Sequence, residues 1–185
     1  AVLYQDDPFG LDGLAGAEKS LKQHKLQLLV KAPYEKNTTK VESAVKAIAE
    51  ARPQAVIMVS NTAASAEFVR QSRTAGNDAQ LLAISVTDGP QLVKRIGKEA
   101  AHGLGLVQVV PDPTSRTLAV TRDLQDDYKK YAPKGIELNH TLLEGYLAGK
   151  VLVEGLKRAG PNPTRKKLRE ALEAMRDYDA GGLLI

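Results

Sequence analysis

Three consecutive polar residues, Ser60-Asn61-Thr62, stand between a predicted strand and a predicted helix. The strand, Ala55–Val59, is continuously apolar and rich in β-branched residues, which is typical of a strand buried on both faces of a parallel sheet. Ligands of open parallel sheets bind outside the carboxyl ends of the strands, and the start of the following helix offers free N–H groups to an anion. The three residues therefore predict an anion-binding site. The alternative is that Asn61 or Thr62 only caps the helix.

A second polar pair, Asp6-Asp7, follows the first predicted strand. Such a pair could hold a metal ion or accept a phosphoryl group, as in a receiver domain. Receiver chemistry also needs an Asp after the third strand, where Ser60-Asn61 stands, and a Lys after the fifth, where Gln108 stands. We therefore interpret Asp6-Asp7 as loop and helix-capping residues. Phe9, placed in the same loop, lines a pocket or packs on its own helix, and the sequence leaves both alternatives open.

The chain contains no recognisable catalytic or nucleotide-binding pattern. The three His residues, His24, His102 and His140, lack the spacing of metal ligands. No Ser lies in a Gly-x-Ser-x-Gly motif, and no Gly-x-Gly-x-x-Gly or Walker motif follows the first strand. With 0 Cys, disulfides and thiolate metal sites are excluded. The sequence therefore predicts a binding protein that is not an enzyme and needs no metal or cofactor.

Composition places the chain among ordinary globular domains. It has 43% hydrophobic and 26% charged residues, so it can build a core. The net charge of +4 comes from interspersed charges, and the densest basic run, Arg165-Lys166-Lys167, is interpreted as a solvated helix face. Aromatic residues make up only 4%, which disfavours base stacking, so no nucleic-acid partner is predicted. No apolar run approaches the ~20 residues of a membrane span.

Residues 1–110 alternate between short apolar runs and amphipathic segments. Four strand–helix pairs and a final strand predict an α/β domain with a parallel, doubly wound, Rossmann-like sheet of about five strands. The strands are predicted at residues 2–4, 26–30, 55–59, 81–84 and 104–110. The pattern Thr39-x-x-Glu42 predicts a capping box at the second helix.

From Pro111 the pattern changes from strands to helices. Residues 111–114 are predicted to form a linker, and amphipathic helices are predicted at residues 115–131, 141–158 and 164–175. Because the first sheet is already covered on both faces, these helices are assigned to a second lobe whose sheet lies outside this chain. Strand-like residues at both ends, 1–4 and 182–185, predict a fragment of a longer protein.

Five segments together carry a resemblance to a known family. They are VLYQDDPFGLDGLAG (2–16), FVRQSRTAG (68–76), GLVQVVPDPTS (105–115), LLEGYLAGKVLVEGLKRAGPNPTRKKLREALEAM (142–175) and DYDAGG (177–182). In their order and spacing the chain resembles the solute-binding proteins of ABC importers, in the type I periplasmic class that includes the Leu/Ile/Val-binding proteins. The resemblance implies two lobes around a cleft. Residues 1–110 would form the ligand-binding lobe two, 111–114 a hinge or linker, and 115–185 the returning helices of lobe one and the start of a crossing strand.

The resemblance also implies ligand-binding residues after strands one, three and four. By position they are Phe9, Asn61, Thr62, Ser85 and Val86, with His140 and Thr141 near a further pocket position on the returning helix. Leu/Ile/Val binders commonly have a Tyr at the first position, and an acidic residue near Val86 that pairs with the ligand ammonium. Val86 has no charge, and Asp88 lies two residues further on. The ligand implied is therefore a small carboxylate, amino-acid-like or without an obligatory amino group.

The function that the resemblance implies is the periplasmic solute-binding component of an ABC uptake system. Its two lobes would close on the ligand and present it to a membrane permease, and the ligand favours closure only by binding the closed state more tightly. The signal peptide and the first lobe would lie outside this chain, and the helices without their sheet could self-associate. The alternatives are a ligand-sensing regulator, which would need a DNA-binding headpiece, a receiver-type signalling domain, or an α/β enzyme.

Overall fold

A computed structural model describes all 185 residues of the chain, which form two compact units, Ala1–Val109 and Val110–Ile185. The first unit alternates strands and helices, and the second is built mainly from helices. The assignment of residues 1–110, 111–114 and 115–185 to lobe two, a hinge and lobe one of a larger protein stays a prediction.

The first unit contains a five-stranded parallel sheet, which confirms the predicted fold class. Its strands are β1 (Val2–Gln5), β2 (Lys31–Tyr34), β3 (Ala55–Val59), β4 (Gln80–Ala83) and β5 (Gly105–Leu106). Their order is β2-β1-β3-β4-β5, with every neighbouring pair parallel. The order runs from β1 to β2 in one direction and from β1 through β3 in the other. The switch point, where ligands of such sheets bind, is therefore between β1 and β3.

Helices cover both faces of this sheet. They are α1 (Pro8–Gln23), α2 (Glu42–Ala51), α3 (Thr62–Thr74) and α4 (Gly89–Ala101). On one face Ile48 of α2 and Phe68 of α3, both fully buried, pack with Leu3 and Met58 of the central strands. On the other face Leu14 of α1 packs with the central strands β1 and β3. Alternate residues of the central strands are thus buried on opposite faces, as their continuous apolar runs predict.

The second strand lies at Lys31–Tyr34, and the prediction at residues 26–30 is wrong. Leu26 and Leu29 are 59% and 66% exposed, whereas Ala32 and Tyr34 are buried. Because β2 is an edge strand, only alternate residues face the core, and Pro33 is tolerated since one side of the strand needs no backbone partner. A continuous apolar run marks a central strand, whose two faces are both buried. It does not mark an edge strand such as β2, which buries only alternate residues.

Several element boundaries also differ from the prediction. The capping box at Thr39 and Glu42 is wrong, because α2 begins after Val41, which has no side-chain oxygen to cap it. The fifth strand is reduced to Gly105–Leu106, since only these residues pair with β4. Phe9 lies in the first turn of α1, where a loop residue was predicted.

The second unit contains the three predicted helices, α5 (Ala119–Tyr131), α6 (His140–Ala159) and α7 (Arg165–Glu173). Its core consists of buried residues from α5, α6 and the C-terminal segment, namely Val120, Leu124, Leu143, Leu147 and Ala180. Helix α7 packs on α6 at Gly155, where an added Cβ would lie 2.6 Å from Cδ2 of Leu172. The C-terminal segment forms a single antiparallel bridge, between Asp179 and Leu184, and the strand predicted there is not formed.

Part of the apolar surface of α6 stays uncovered in this unit. Leu152, Val153 and Leu156 are 47%, 51% and 37% exposed. No helix of the chain, α6 included, has both the length and the apolar character needed to cross a membrane.

Candidate functional site

The residues predicted to bind a ligand in the first unit all follow strands of the central sheet. Tyr4 of β1 pairs with Val59 of β3, and Met58 of β3 pairs with Ala83 of β4. Because these strands are parallel and neighbouring, their carboxyl ends lie at one edge of the sheet. The structure therefore brings Phe9, Asn61, Thr62, Ser85 and Val86 to the same edge. Their role in binding stays a prediction.

Asp7 caps α1 and is not available for chemistry on a ligand. Its Oδ1 accepts a hydrogen bond from the N–H of Gly10 at 3.1 Å, and its Oδ2 accepts one from Nε2 of Gln5 at 2.9 Å. Nζ of Lys36 lies 2.9 Å from Oδ2, and the carboxylate side chain is 9% exposed. The hydrogen bond from Lys36, together with those from Gly10 and Gln5, holds the pKa of Asp7 below its usual value. Asp7 thus has the capping role that the sequence indicated.

A buried polar contact joins β2 to this cap. The hydroxyl of Tyr34 donates to Oε1 of Gln5 at 3.1 Å, and both side chains are buried. Burial raises the pKa of Tyr34, so the phenol stays protonated and can donate. The sequence analysis missed both residues. The signal available was the Lys-Ala-Pro-Tyr segment, whose second and fourth residues face the core of an edge strand.

At the start of α3, Asn61 acts as the N-cap. Its Oδ1 accepts a hydrogen bond from the N–H of Ala64 at 3.0 Å, and its carbonyl accepts one from the N–H of Ser65 at 2.9 Å. Asn61 therefore caps α3, and its role in ligand binding stays a prediction. Its Nδ2 and the backbone N–H groups of Thr62 and Ala63 have no acceptor within the chain. Capping by Asn61 thus leaves donors at the helix start for a ligand.

Thr62 and the loop after β4 are in direct contact. Oγ1 of Thr62 accepts a hydrogen bond from the N–H of Asp88 at 2.9 Å, so its hydroxyl proton is still available to a ligand. Asp88 caps α4 by accepting from the N–H of Gln91 at 2.8 Å. Between them, Ser85 is half-buried with no side-chain hydrogen bond in the chain, and Val86 is 52% exposed.

The groups left at this edge are mainly donors beside apolar surface. The donors are the amide of Asn61, the hydroxyls of Thr62 and Ser85, and the free backbone N–H groups of α3. Phe9, 39% exposed, supplies apolar surface at the same edge. Such a set suits an anionic head group attached to an apolar body. Nowhere in the chain do three or more His, Asp or Glu side chains gather closely enough to hold a metal ion.

Two hydroxyl residues, Ser65 and Thr87, are buried beneath these loops, and the sequence analysis missed Ser65. Ser65 and Ser72 lie seven residues apart, on the face of α3 that buries Phe68 and Val69. A polar residue on an apolar helix face was therefore the signal available. His140 and Thr141 lie in the second unit, at the start of α6, where Asn139 accepts a hydrogen bond from the N–H of Leu142.

Comparison with known proteins places the chain beside ligand-binding proteins. The family described as "Periplasmic binding protein" matches residues 1–184. The chain is similar to a substrate-binding periplasmic protein from Ralstonia solanacearum, with 39% identity, a TM-score of 0.90, and coverage of 98% of this chain and 51% of that one. It is also similar to a possible leucine/isoleucine/valine-binding protein from Rhodopirellula baltica, with 28% identity, a TM-score of 0.87, and coverage of 97% and 49%.

An extracellular ligand-binding receptor from Verminephrobacter eiseniae is similar at 28% identity, with a TM-score of 0.78 and coverage of 98% of this chain and 52% of that one. The chain thus spans about half the length of the proteins it matches.

Proposed function

Because the chain belongs to the periplasmic binding protein family, we propose that it contributes a ligand-binding surface to the solute-binding component of an ABC uptake system. The ligand is a small molecule with a carboxylate, bound at the carboxyl edge of β1, β3 and β4. The observation that carries this proposal is the donor set at that edge, where Asn61, Thr62 and Ser85 offer N–H and O–H groups without acceptors in the chain.

A carboxylate uses these donors better than a neutral group does. Hydrogen bonds to an ionised acceptor are shorter and about twice as strong as neutral ones. The start of α3 adds free N–H groups and the positive end of the helix dipole. Phe9 and Val86 then contact the apolar part of the ligand, aliphatic or aromatic.

We propose further that the ligand does not require an amino group. Val86 has no charge with which to pair an ammonium, and Oδ1 of Asp88 accepts a hydrogen bond from the N–H of Gln91 as the cap of α4. Asp7 caps α1. Asp6 is the acidic residue of these loops that caps no helix, and it is exposed. An amino-acid ligand would therefore depend on Asp6.

In the whole protein, residues 1–110 act as lobe two and residues 115–185 as part of lobe one, joined by the hinge at 111–114. The two lobes close on the ligand in the periplasm, and the closed form is recognised by the membrane permease. The protein performs no catalysis and needs no cofactor. The support for this description is family membership and similarity to periplasmic and extracellular ligand-binding proteins.

Calorimetry of the full-length parent protein tests the ligand class. The panel pairs small aliphatic and aromatic carboxylic acids with their primary amides. We expect the best acid to bind about tenfold or more tightly than its amide, since a hydrogen bond to a charged group contributes roughly 1.5–3 kcal/mol. Equal affinity for acid and amide would contradict the proposal.

Variants locate the binding to this edge. Ser85→Ala should lower the affinity for the best acid by about tenfold, because the lost hydroxyl donates to the ligand carboxylate. Ser20→Ala, at an exposed position of α1, is the matched control and should leave affinity unchanged. Asp6→Asn should also have no effect. A loss of affinity in Asp6→Asn, together with a preference for amino acids over simple acids, would identify an amino-acid ligand.

A further inference from the structure

On the basis of the proposed function, we infer that Ser65 and Thr87 are positioning residues of the ligand site. Neither belongs to the donor set, because both are buried, with exposures of 0% and 1%. Their hydroxyls join the start of α3 to the loop of residues 85–88. They thereby fix the spacing between the donors at Asn61 and Thr62 and those at Ser85.

The hydroxyls form a short chain of hydrogen bonds with Ser60, which is also fully buried. Oγ of Ser60 lies 2.8 Å from Oγ of Ser65, which lies 3.0 Å from Oγ1 of Thr87. Thr87 in turn donates to the carbonyl oxygen of Ser60 at 3.3 Å. One arrangement uses every proton once: Ser60 donates to Ser65, Ser65 to Thr87, and Thr87 to the Ser60 carbonyl. In this arrangement none of the three hydroxyls has a proton left to donate to a ligand. The role of the hydrogen-bonded network is therefore to hold the backbone.

The Ser60 carbonyl explains why this network is required. The last bond from the β4 side to β3 runs from the N–H of Ile84 to the carbonyl of Met58, at 3.4 Å. The chain then turns, with the N–H of Thr87 donating to the carbonyl of Ile84 at 3.0 Å. The next carbonyl facing β4 after that of Met58 is the carbonyl of Ser60. No backbone N–H reaches it, because the chain after β4 has already turned away. A buried carbonyl without a partner is unfavourable, and the Thr87 hydroxyl supplies a donor at 3.3 Å, with the Ser65 hydroxyl at a longer 3.5 Å from the same oxygen.

A second bond holds the same loop from the solvent side. The N–H of Asp88 donates to Oγ1 of Thr62 at 2.9 Å. The loop is thus tied to α3 below by Ser65 and Thr87, and above by Thr62. A site whose donors are held in place before binding loses less conformational entropy when the ligand arrives.

Residue-resolved hydrogen exchange, measured by NMR on this chain, tests the inference without a ligand. The reporters are the N–H groups of Thr87 and Asp88, which are bonded within the loop region, with amides of β1 as the internal reference. Thr87→Val and Ser65→Ala should speed exchange at both reporters by about tenfold or more, through easier local opening. Amides of β1 should change by less than about twofold, because a local opening leaves the core strands protected.

Two further variants separate positioning from general damage. Thr87→Ser keeps the hydroxyl and should restore slow exchange. Ser72→Ala is the matched control, because Ser72 lies on the same helix, is equally buried, and its Oγ has no partner. It should leave both reporters unchanged.

Unchanged exchange at Thr87 and Asp88 in Thr87→Val would overturn the positioning role, as would an equal rise at every amide of the unit. Failure of Thr87→Ser to rescue would also overturn it. A failed ligand titration would overturn the proposed function and leave this hydroxyl network in place, so the two failures are distinguishable.

Discussion

The Asp7 carboxylate holds three groups at once: the first turn of α1 through Gly10, the side chain of Gln5 on β1, and Lys36 beyond β2. The contact with Lys36 contributes most to the lowered pKa of this carboxyl. A single charged residue therefore sets where α1 begins and, with it, the position of Phe9.

Acid should remove this stabilisation. The folded-state pKa of Asp7 lies below its usual value of 3.8. The stabilisation is therefore complete above the unfolded-state pKa and is lost as the pH falls through the lower, folded-state value. In urea unfolding, we expect the stability of the wild type to fall more steeply below about pH 4 than that of Asp7→Asn, which can still cap α1 but carries no charge.

Glu67, Asp112 and Asp179 also have lowered pKa values. They add to the loss of stability in acid in the wild type and in Asp7→Asn alike. Their effect cancels when the two pH profiles are subtracted. Identical acid slopes for the wild type and Asp7→Asn would show that the Asp7 charge does not contribute.

Single residues were predictable where the signal was local. The positions of Asn61, Thr62, Ser85 and Val86 at the carboxyl edge of the sheet were predictable, because each follows an apolar run that marks a strand, and their role in binding stays a prediction. The buried hydrogen bonds of Tyr34 and Thr87 were not predictable, because their partners lie 29 and 22 or more positions away in sequence. Contacts of that range are set by strand order, which no short pattern reveals.

Among the elements, α1 can begin beside β1 only because residue 10 is Gly. A Cβ at Gly10 would lie 1.8 Å from the carbonyl oxygen of Gln5, far inside van der Waals contact. Gly13, one turn later, faces Val59 of β3, where a Cβ would lie 2.5 Å from Cγ1. These two glycines let the helix approach the switch point of the sheet closely.

Replacing Gly10 and replacing Gly16 of α1 by Ala should therefore change the free energy of unfolding in opposite directions. We expect Gly10→Ala to lower the free energy of unfolding by about 1–3 kcal/mol or more, because the clash is with backbone. Gly16→Ala is the matched control on the same helix, where an added Cβ meets nothing within 4 Å. It should raise stability by about 0.5–1 kcal/mol through helix propensity. Urea unfolding measures both, and changes of the same sign would contradict this account of the helix start.

The elements themselves were predictable in number and type, and their boundaries less so. Central strands such as β3 are predictable from continuous apolar runs, because both of their faces are buried. The edge strand β2 has no such run, whereas the leucine-rich segment before it, residues 26–30, resembles one. Leu26 and Leu29 lie outside the sheet because nothing beyond the edge covers them.

At the scale of the whole molecule, the two compact units differ in how well they bury their apolar residues. In the first, the sheet is covered on both faces. In the second, α7 contributes no buried residue, and α6 exposes Leu152, Val153 and Leu156. Exposed apolar residues at helical spacing indicate a contact surface.

We expect this α6 surface to make the isolated chain self-associate with rising concentration, since burying one Leu contributes roughly 1.5–3 kcal/mol. Leu156→Lys should weaken the association by about tenfold or more in sedimentation equilibrium. Leu26→Lys, which alters an exposed Leu of the first unit, is the matched control and should have no effect. A chain that stays monomeric at every concentration would contradict the expectation.

The caps at the carboxyl edge of the sheet differ in charge. Helices α1, α3 and α4 all start there, and each helix start carries a positive potential equivalent to about half an elementary charge. The carboxylates of Asp7 and Asp88 cap α1 and α4, that of Asp7 being also paired with Lys36, whereas the uncharged amide of Asn61 caps α3 and adds no negative charge there. An approaching anion is consequently attracted to one point of the edge in preference to the other two. We therefore expect the charged end of an anionic ligand to lie at the start of α3.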